Sequence, residues 1–530
     1  MRSGVLGVGN VRRWLQSGVN KWRLALLVFI IVYAVFLLGS GFMVIQWDEM
    51  SHLRGGQLLV QGRFPEYVST YGYYPPLYDL VTGGYFGLFG VSAEAGRLAA
   101  VTFALLSVWL VFELANRTYG PKVALISSAL LASMPGFFWA SKFALLESML
   151  VFFFSLTLFF FLSWVKEDKN KALILTGVTF GLGVLAKYQV IVAGLVMVVF
   201  ILVFFRKRLL AKFRKFWVLA LIAILIVTPW LLLIGVGKGN DLLYAIAEGG
   251  EDRPAYGSRF PLPVFYLVEM TWPYDNTHPI FLPLFILGLL GLVLWAFRRK
   301  PEDKFFLTWF IVVYVFFTLL IPNKQWRYVI PLFPVLAISA AGFVAFVYGK
   351  LRGSWQSISA TVNRKRLVKL CAAALAVFTV TAVTYNFYDG YQWTTRYQIH
   401  IPIDEATNFA AARLNPNESI GVLCASNSFS DDMVGFYLEA NGSIRNKVWQ
   451  YPQRAVDAFK PDFNVTDLIS LCENRTARFV LLYEYGATFP YFDSTLTMHE
   501  VYKMLLDSGR FIYVDMFGES PRTISILSFA

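Results

Sequence analysis

Charge is scarce in this chain: only 15% of its 530 residues are Asp, Glu, Lys or Arg, against 57% hydrophobic and 17% aromatic. That balance excludes an ordinary soluble protein, whose composition carries about a quarter charged residues. No basic tract is interleaved with aromatics on a polar segment, so the net charge of +13 does not read as nucleic-acid binding. Cysteines number three. Cys371 falls in an apolar run, while Cys424 and Cys472 stand in a polar C-terminal stretch, where an oxidising exterior would allow a disulfide between them. No small-residue cleavage site follows the first apolar run, which leads straight into Gln46-Trp47-Asp48-Glu49, so the run is expected to remain as an uncleaved first helix. Internal repeats and low-complexity tracts are missing too.

What the chain has instead is a series of apolar runs, at 24–44, 98–114, 123–138, 150–165, 173–186, 190–205, 218–235, 280–297, 305–321, 330–347 and 370–385. A helix needs about 20 apolar residues to cross the hydrocarbon core, so these runs predict an α-helical polytopic membrane protein with about eleven spans. Lys and Arg fix its expected orientation. With the N-terminus in the cytoplasm, the cytoplasmic connections hold 26 of them and the longer outer loops hold 10, the asymmetry of the positive-inside rule. The net positive charge is therefore mostly a topology signal. A multi-pass protein of the cell membrane is expected, with its C-terminal part outside.

Two outer loops, 45–97 and 236–279, are far longer than ordinary connections, and long loops in compact proteins are usually functional. In the first, Trp47, Met50 and Leu53 recur at helical spacing and predict a helix lying in the membrane interface. Two prolines in Tyr73-Tyr74-Pro75-Pro76 then forbid a regular helix, and the tyrosines suit the headgroup layer. Residues 1–388 form the membrane domain in this reading, and 389–530 a small extracytoplasmic α/β domain. Helices are expected at 404–414 and 499–508, and strands at 419–424, 479–483, 511–515 and 523–527. Asn417, Asn441, Asn464 and Asn474 each open an N-x-S/T sequon in that domain; chance predicts about one, and glycosylation places them outside the cytoplasm. A fifth sequon, at Asn116, falls on an expected cytoplasmic loop and reads as accidental.

The ionisable residues that interrupt this apolar sequence gather at the expected outer ends of spans. Asp48 and Glu49 follow the first span, with His52 one turn on. Glu147 is a lone acid heading the fourth. Lys187 ends the fifth, and Arg259, Lys324 and Arg327 are further outer-side cations near span ends. A random acidic pair there is more often merely solvated, Lys142 reads as a structural partner of Glu147, and a snorkelling Lys187 is an equally ordinary outcome. Carboxylates at a membrane boundary are nevertheless costly enough to read as functional. One carboxylate can take a proton from an acceptor hydroxyl while cations stabilise a departing phosphate. No nucleotide-sugar pool exists outside the cytoplasm, so glycosyl transfer there needs a lipid-borne donor. Asp48 and Glu147, with Glu49 and His52, are also oxygen and nitrogen donors for a divalent metal ion, although their spacing matches no dedicated site.

These residues resemble a family. The acid pair after the first span, the Tyr-Tyr-Pro-Pro-Leu stretch, Ala144-Leu145-Leu146-Glu147-Ser148, Leu185-Ala186-Lys187-Tyr188, and the run from Asn323 through Lys324-Gln325-Trp326-Arg327-Tyr328 to Pro331 are similar, in order and spacing, to the C-type integral-membrane glycosyltransferases. The similarity covers about residues 24–350, and the branch is that of the protein O-mannosyltransferases and aminoarabinose lipid A transferases (glycosyltransferase family 39 and relatives). The resemblance implies the C-type fold and an inverting transfer of a sugar, a mannose-like hexose, from a polyprenyl- or dolichyl-phosphate carrier to a protein, glycan or lipid acceptor. It makes Asp48 the catalytic base, Glu49 the second acid and Glu147 the acid heading the fourth span. Tyr73 and Tyr74 stand where the branch often has a charged residue, which leaves phosphate binding to Lys187, Arg259, Lys324 or Arg327. The Trp-Trp-Asp-Tyr-Gly signature of oligosaccharyltransferases is absent, which argues against en bloc transfer to asparagine. The alternative is a transporter or lipid flippase, whose site would sit near the bilayer midplane rather than at one face. A receptor role for the outer domain alone would leave the polar residues of the membrane half without purpose.

Overall fold

The computed structural model describes residues 20–39, 44–204, 209–248, 260–272, 278–321, 324–356, 362–396, 398–423, 429–440, 442, 448–451, 463–484, 496–520 and 522–530; Arg259, Cys424 and Asn441 lie outside them. Two compact units emerge. The first comprises Met1–Gly39, Arg63–Val81 and Arg97–Thr395; the second Ser40–Gly62, Thr82–Gly96 and Arg396–Ala530. The first outer loop is thus divided: its start and end group with the C-terminal residues and only its middle with the membrane helices.

The chain runs through helices α1 (Asn20–Leu38), α2 (Trp47–Val60), α3 (Phe64–Tyr71), α4 (Leu77–Phe89), α5 (Ala93–Tyr119), α6 (Pro121–Ser133), α7 (Pro135–Lys142), α8 (Glu147–Glu167), α9 (Asn170–Ala186), α10 (Ile191–Phe204), α11 (Leu209–Glu248), α12 (Phe265–Glu269), α13 (Leu282–Arg298), α14 (Pro301–Leu319), α15 (Phe333–Gln356) and α16 (Val362–Thr395). Each of the eleven apolar runs coincides with a helix. By length and composition, six helices among the described residues can cross a membrane, or seven if the bent pair α6–α7 is one span. The expected count of about eleven is not confirmed, and the reason is length. Asn170–Ala186, Tyr188–Phe204 and Leu282–Arg298 are apolar but short, and α14 opens on the charged Glu302, Asp303 and Lys304. The predicted loop 236–279 is also shorter than expected, because α11 continues helically to Glu248.

Two local causes shape the membrane unit. Pro135 stands at the first position of α7, and the break before it turns the α6–α7 path by 65°, as a proline that cannot accept helical continuation dictates. Gly291 of α13 lets α15 come close: a Cβ there would lie 2.1 Å from the Ser339 carbonyl oxygen. Small residues at helix contacts are how apolar helices associate without a hydrophobic drive between them.

In the second unit, a five-stranded sheet has the order β2-β1-β3-β5-β4, from β1 (Ser419–Leu423), β2 (Val448–Tyr451), β3 (Ala477–Glu484), β4 (Phe511–Glu519) and β5 (Arg522–Phe529). Strand β1 pairs in parallel with β2 and β3, while β5 is antiparallel to β3 and β4. The small α/β domain expected from the sequence is present. Every residue of β1 is buried, as a central parallel strand requires. Helices α17 (Ile403–Ala411), α18 (Asp431–Ala440), α19 (Val465–Asn474) and α20 (Met498–Asp507) complete it. Strand β2 and helices α18 and α19 were not anticipated. Trp449 of β2 lies over Gly421, where a Cβ would come within 2.8 Å of its ring, and its indole donates to Ser419 Oγ at 2.9 Å.

Among the sequons, Asn417, Asn464 and Asn474 are exposed, as glycan acceptors must be. Cys472 is buried, and burial pushes its thiol up to about 12. Little thiolate then exists at pH 8, and the thiolate is the reactive form. Alkylation of the native protein at pH 8 is therefore expected to leave Cys472 unmodified until denaturant is added, read by peptide mass mapping.

Candidate active site

Asp48 and Glu49 occupy the first turn of α2, where the exposed backbone N–H groups and the helix dipole favour negative charge. Their environments differ. Glu49 is fully buried and accepts the Gln46 backbone N–H at 3.1 Å, closing the helix start. Asp48 remains half-exposed. The second acid of the pair thus has a structural task the sequence did not disclose. His52, one turn on, is buried as well.

The same helix carries a feature that sequence reasoning missed. Arg54 is 0% exposed and forks onto Glu439 of α18 through two hydrogen bonds of 3.1 Å; it also donates to Gln57. Gln57 in turn donates to the Phe436 carbonyl at 3.0 Å, and Phe436 meets Phe86 of α4 with ring centroids 6.2 Å apart. A bidentate, fully desolvated guanidinium–carboxylate pair is a geometrically specific link. It ties the helix bearing Asp48 to the C-terminal helix α18.

In the membrane unit, Glu147 heads α8 and is buried, with Lys187 Nζ donating to its carboxylate at 2.8 Å. The positive charge of Arg327 also bears on Glu147. Glu147, Lys187 and Arg327, singled out separately from the sequence, are therefore brought together. Lys187 sits at the end of α9, where the chain leaves the helix in extended conformation.

Lys324 is a correction. Its ammonium donates to the carbonyls of Phe317 and Thr318 at 2.7 Å and to that of Ile321, at the C-terminal end of α14. All three donors are thereby occupied, and Lys324 stabilises orphan helix carbonyls instead of holding a phosphate. Burial draws its ammonium below the usual lysine range. Lys324→Met is expected to cost roughly 1.5–3 kcal/mol, the worth of hydrogen bonds to a charged group. Thermal unfolding would register that loss, while affinity for lipid phosphate would stay unchanged.

Tyr73 and Tyr74 follow α3, their ring centroids 4.3 Å apart, with Tyr73 37% exposed. Beside them lies a buried pair that the sequence did not announce: Tyr67 donates to Asp79 at 3.0 Å, and burial first, then the Asp79 charge, raises the phenol above its ordinary value. The pair clips α3 to α4 across the Pro75-Pro76 turn. Asp48 and Glu147, the expected metal ligands, belong to different units. Among the described residues no three His, Cys, Asp or Glu side chains gather as a metal group.

Comparison with known proteins bears on this arrangement. A family model described as dolichyl-phosphate-mannose-protein mannosyltransferase matches residues 74–233. The undecaprenyl phosphate-alpha-4-amino-4-deoxy-L-arabinose arabinosyl transferase of Edwardsiella ictaluri is 26% identical over 298 residues, 52% of this chain and 50% of that protein. The chain spans about half the length of the curated relatives it matches. Among solved structures, ArnT from Cupriavidus metallidurans in the apo state superimposes with a TM-score of 0.64 at 16% identity, covering 96% of this chain and 98% of that one. Archaeal AglB from Archaeoglobus fulgidus, in complex with an inhibitory peptide and a dolichol-phosphate, follows at 0.58 and 16%, over 88% and 70%.

The fold is that of the C-type integral-membrane glycosyltransferases, and the resemblance read from the sequence motifs is borne out. This is a multi-pass membrane protein of that class, similar in sequence to the aminoarabinose transferases and, over residues 74–233, to the dolichyl-phosphate-mannose-protein mannosyltransferase family.

Proposed function

We propose that the protein transfers a monosaccharide from a polyprenyl-phosphate carrier to an acceptor outside the cytoplasm, with Asp48 as general base. The observation that carries this reading is the division of labour in the first turn of α2: Glu49 is buried in the helix cap, and Asp48 stays half-exposed. The Asp48 carboxylate takes the proton of the acceptor hydroxyl as its oxygen attacks the anomeric carbon from the face opposite the phosphate. The bond from that carbon to the phosphate oxygen breaks, the electron pair leaves with the phosphate, and the anomeric configuration inverts. Positive charge stabilises the leaving phosphate. Lys187 and Arg327 are the assigned cations, with Glu147 holding Lys187 in place.

The structure of Cupriavidus ArnT with bound undecaprenyl phosphate, and that of AglB with dolichol-phosphate, support a polyprenyl-phosphate carrier. The family description names mannose and the relatives' names give 4-amino-4-deoxy-L-arabinose, so the donors to supply are these two. The orientation inferred from Lys and Arg puts Asp48 and the sequons of the C-terminal domain outside. Proteolysis of that domain in right-side-out vesicles, with protection in inverted ones, is the expected result.

The test of the function is release of polyprenyl phosphate from a labelled polyprenyl-phosphate sugar by the purified protein in liposomes, with acceptor present. Protein that scrambles the lipid between leaflets and releases no lipid phosphate from either donor overturns the reading in favour of a flippase. The same assay run with chelator and restored with a divalent ion tests the metal expectation at Asp48 and Glu147. No step above is routed through one.

A further inference from the structure

Lys142, the last residue of α7, is 2% exposed, and its ammonium has no hydrogen-bond partner among the described residues. What it does meet are the face of Phe138, 5.3 Å from the ring centroid, and the positive charge of Arg97. Arg97 is itself 8% exposed and lies over the Phe143 ring at 5.7 Å. A buried ammonium is costly unless paired, and a second cation beside it raises the cost. An aromatic face offsets only part of that. The combination is what an anion would relieve.

The place of Lys142 in the chain narrows which anion. Ser148 Oγ of α8 donates to the Ala140 carbonyl of α7 at 3.1 Å, and Leu145 N–H closes a tight turn onto the Phe143 carbonyl at 2.7 Å. The end of α7 and the start of α8 are therefore side by side, and Lys142 stands at the same end of the unit as Glu147. Trp139, three residues before it, packs against Trp326 with centroids 5.8 Å apart, adjoining Arg327. Glu147 is already held by Lys187 at 2.8 Å, and the charge acting on Lys142 is that of Arg97 and not of Glu147.

We propose that Lys142, with Arg97 beside it, forms a subsite for a phosphate monoester, the headgroup a polyprenyl-phosphate sugar becomes once its sugar has left. The inference rests on the proposed function. The donor is a phosphodiester with one negative charge; the product is a monoester close to two at neutral pH, since the second proton leaves near pH 6. Two neighbouring cations in a site of low dielectric favour the dianion over the monoanion, so the pair stabilises charge that appears only as the sugar–phosphate bond breaks. Lys142 acts on the leaving group; Lys187 is committed to Glu147.

The experiment uses the full-length protein in nanodiscs, as wild type, Lys142→Met and Lys142→Arg, with undecaprenyl phosphate, undecaprenol and inorganic phosphate as probes. The wild type is expected to unfold at a higher temperature when undecaprenyl phosphate is added. Lys142→Met, which removes a buried unpaired charge at similar volume, is expected to be at least as stable without ligand. Its affinity for undecaprenyl phosphate should fall by about tenfold or more, with undecaprenol binding within about twofold of wild type. Lys142→Arg should restore most of the phosphate affinity. Inorganic phosphate that shows the same Lys142 dependence identifies a free-phosphate site of the same chemistry; dependence confined to the lipid identifies the headgroup. Unchanged undecaprenyl phosphate affinity in Lys142→Met, equal loss for the alcohol and the phosphate, or a destabilised Lys142→Met that Arg does not rescue, overturns the subsite. A wild type that binds the lipid phosphate yet transfers no sugar fails the functional reading and leaves the subsite standing. One that transfers sugar while Lys142→Met binds equally well fails the subsite alone.

Discussion

Asp48→Asn is expected to slow sugar transfer by about two to four orders of magnitude, the usual worth of a positioned general base, while the donor is bound as tightly as before. Asn is isosteric with Asp and equally suited to a helix start. The side chain keeps its place in the first turn of α2 and loses only its basicity and its charge. The charge interacts with the helix dipole, which sets the stability cost at about 1 kcal/mol or less. Single-turnover release of polyprenyl phosphate, with donor affinity measured alongside, separates the base from a binding group. Glu49→Gln supplies the contrast. A glutamine oxygen can still accept the Gln46 N–H that Glu49 now accepts at 3.1 Å, so activity within about tenfold of wild type is expected. Equal damage from the two substitutions would overturn the assignment of separate roles to the adjacent acids.

Arg54→Met should have the largest effect on stability. It leaves the Glu439 carboxylate, whose side chain is 2% exposed, without the two hydrogen bonds of 3.1 Å that now satisfy it. Breaking a buried ion pair from one side costs about 3–5 kcal/mol, because the remaining charge is stranded in a low dielectric. The double variant Arg54→Met with Glu439→Leu is expected to recover most of that loss, since neither charge is then buried. Thermal unfolding of the four proteins completes the cycle. Salt should hardly change the coupling, because a pair without water around it is poorly screened. A double variant no more stable than Arg54→Met alone would show that packing of the arginine stem, and not charge, holds α2.

The membrane helices were legible because lipid imposes one strong demand, a long apolar stretch, and every such stretch became helix. The number of spans was less legible, since α9, α10 and α13 are apolar without being long. The alternating strands and helices of the C-terminal domain could be seen where hydrophobic runs were pronounced. Four-residue β2 could not; its Trp449 is informative only once Gly421 is known to lie beneath it. Helix α18 did carry a local signal, Ser430 followed by Asp431 and Asp432 at a helix start, with the Met433 N–H bonded back to Ser430. Glu147 and Lys187 were each chosen from the sequence as boundary charges 40 positions apart, and the structure joins them. Lys324 was chosen by the same logic and does something else. Proximity to a helix end can be read from a sequence, but which carbonyls an ammonium reaches depends on the path of the following loop. Arg54 and Glu439, separated by 385 positions, lie beyond any local rule.

That separation has a consequence for biosynthesis. Helix α2 leaves the ribosome early, and its partner α18 follows only after the last membrane helix has been made. At about 5–20 residues per second the interval is roughly 20–80 s. Throughout it Arg54 lacks the carboxylate that neutralises it, so α2 waits in water or at the lipid headgroups until the chain is nearly finished. Ribosome-bound chains that stop short of Asp431 should leave a cysteine placed at Arg54 open to a water-soluble thiol reagent, and chains extended well past Ala440 should protect it. The reactive helix is thereby among the last parts of the molecule to become rigid, and a chain cut short would carry an acid pair on a helix that nothing holds.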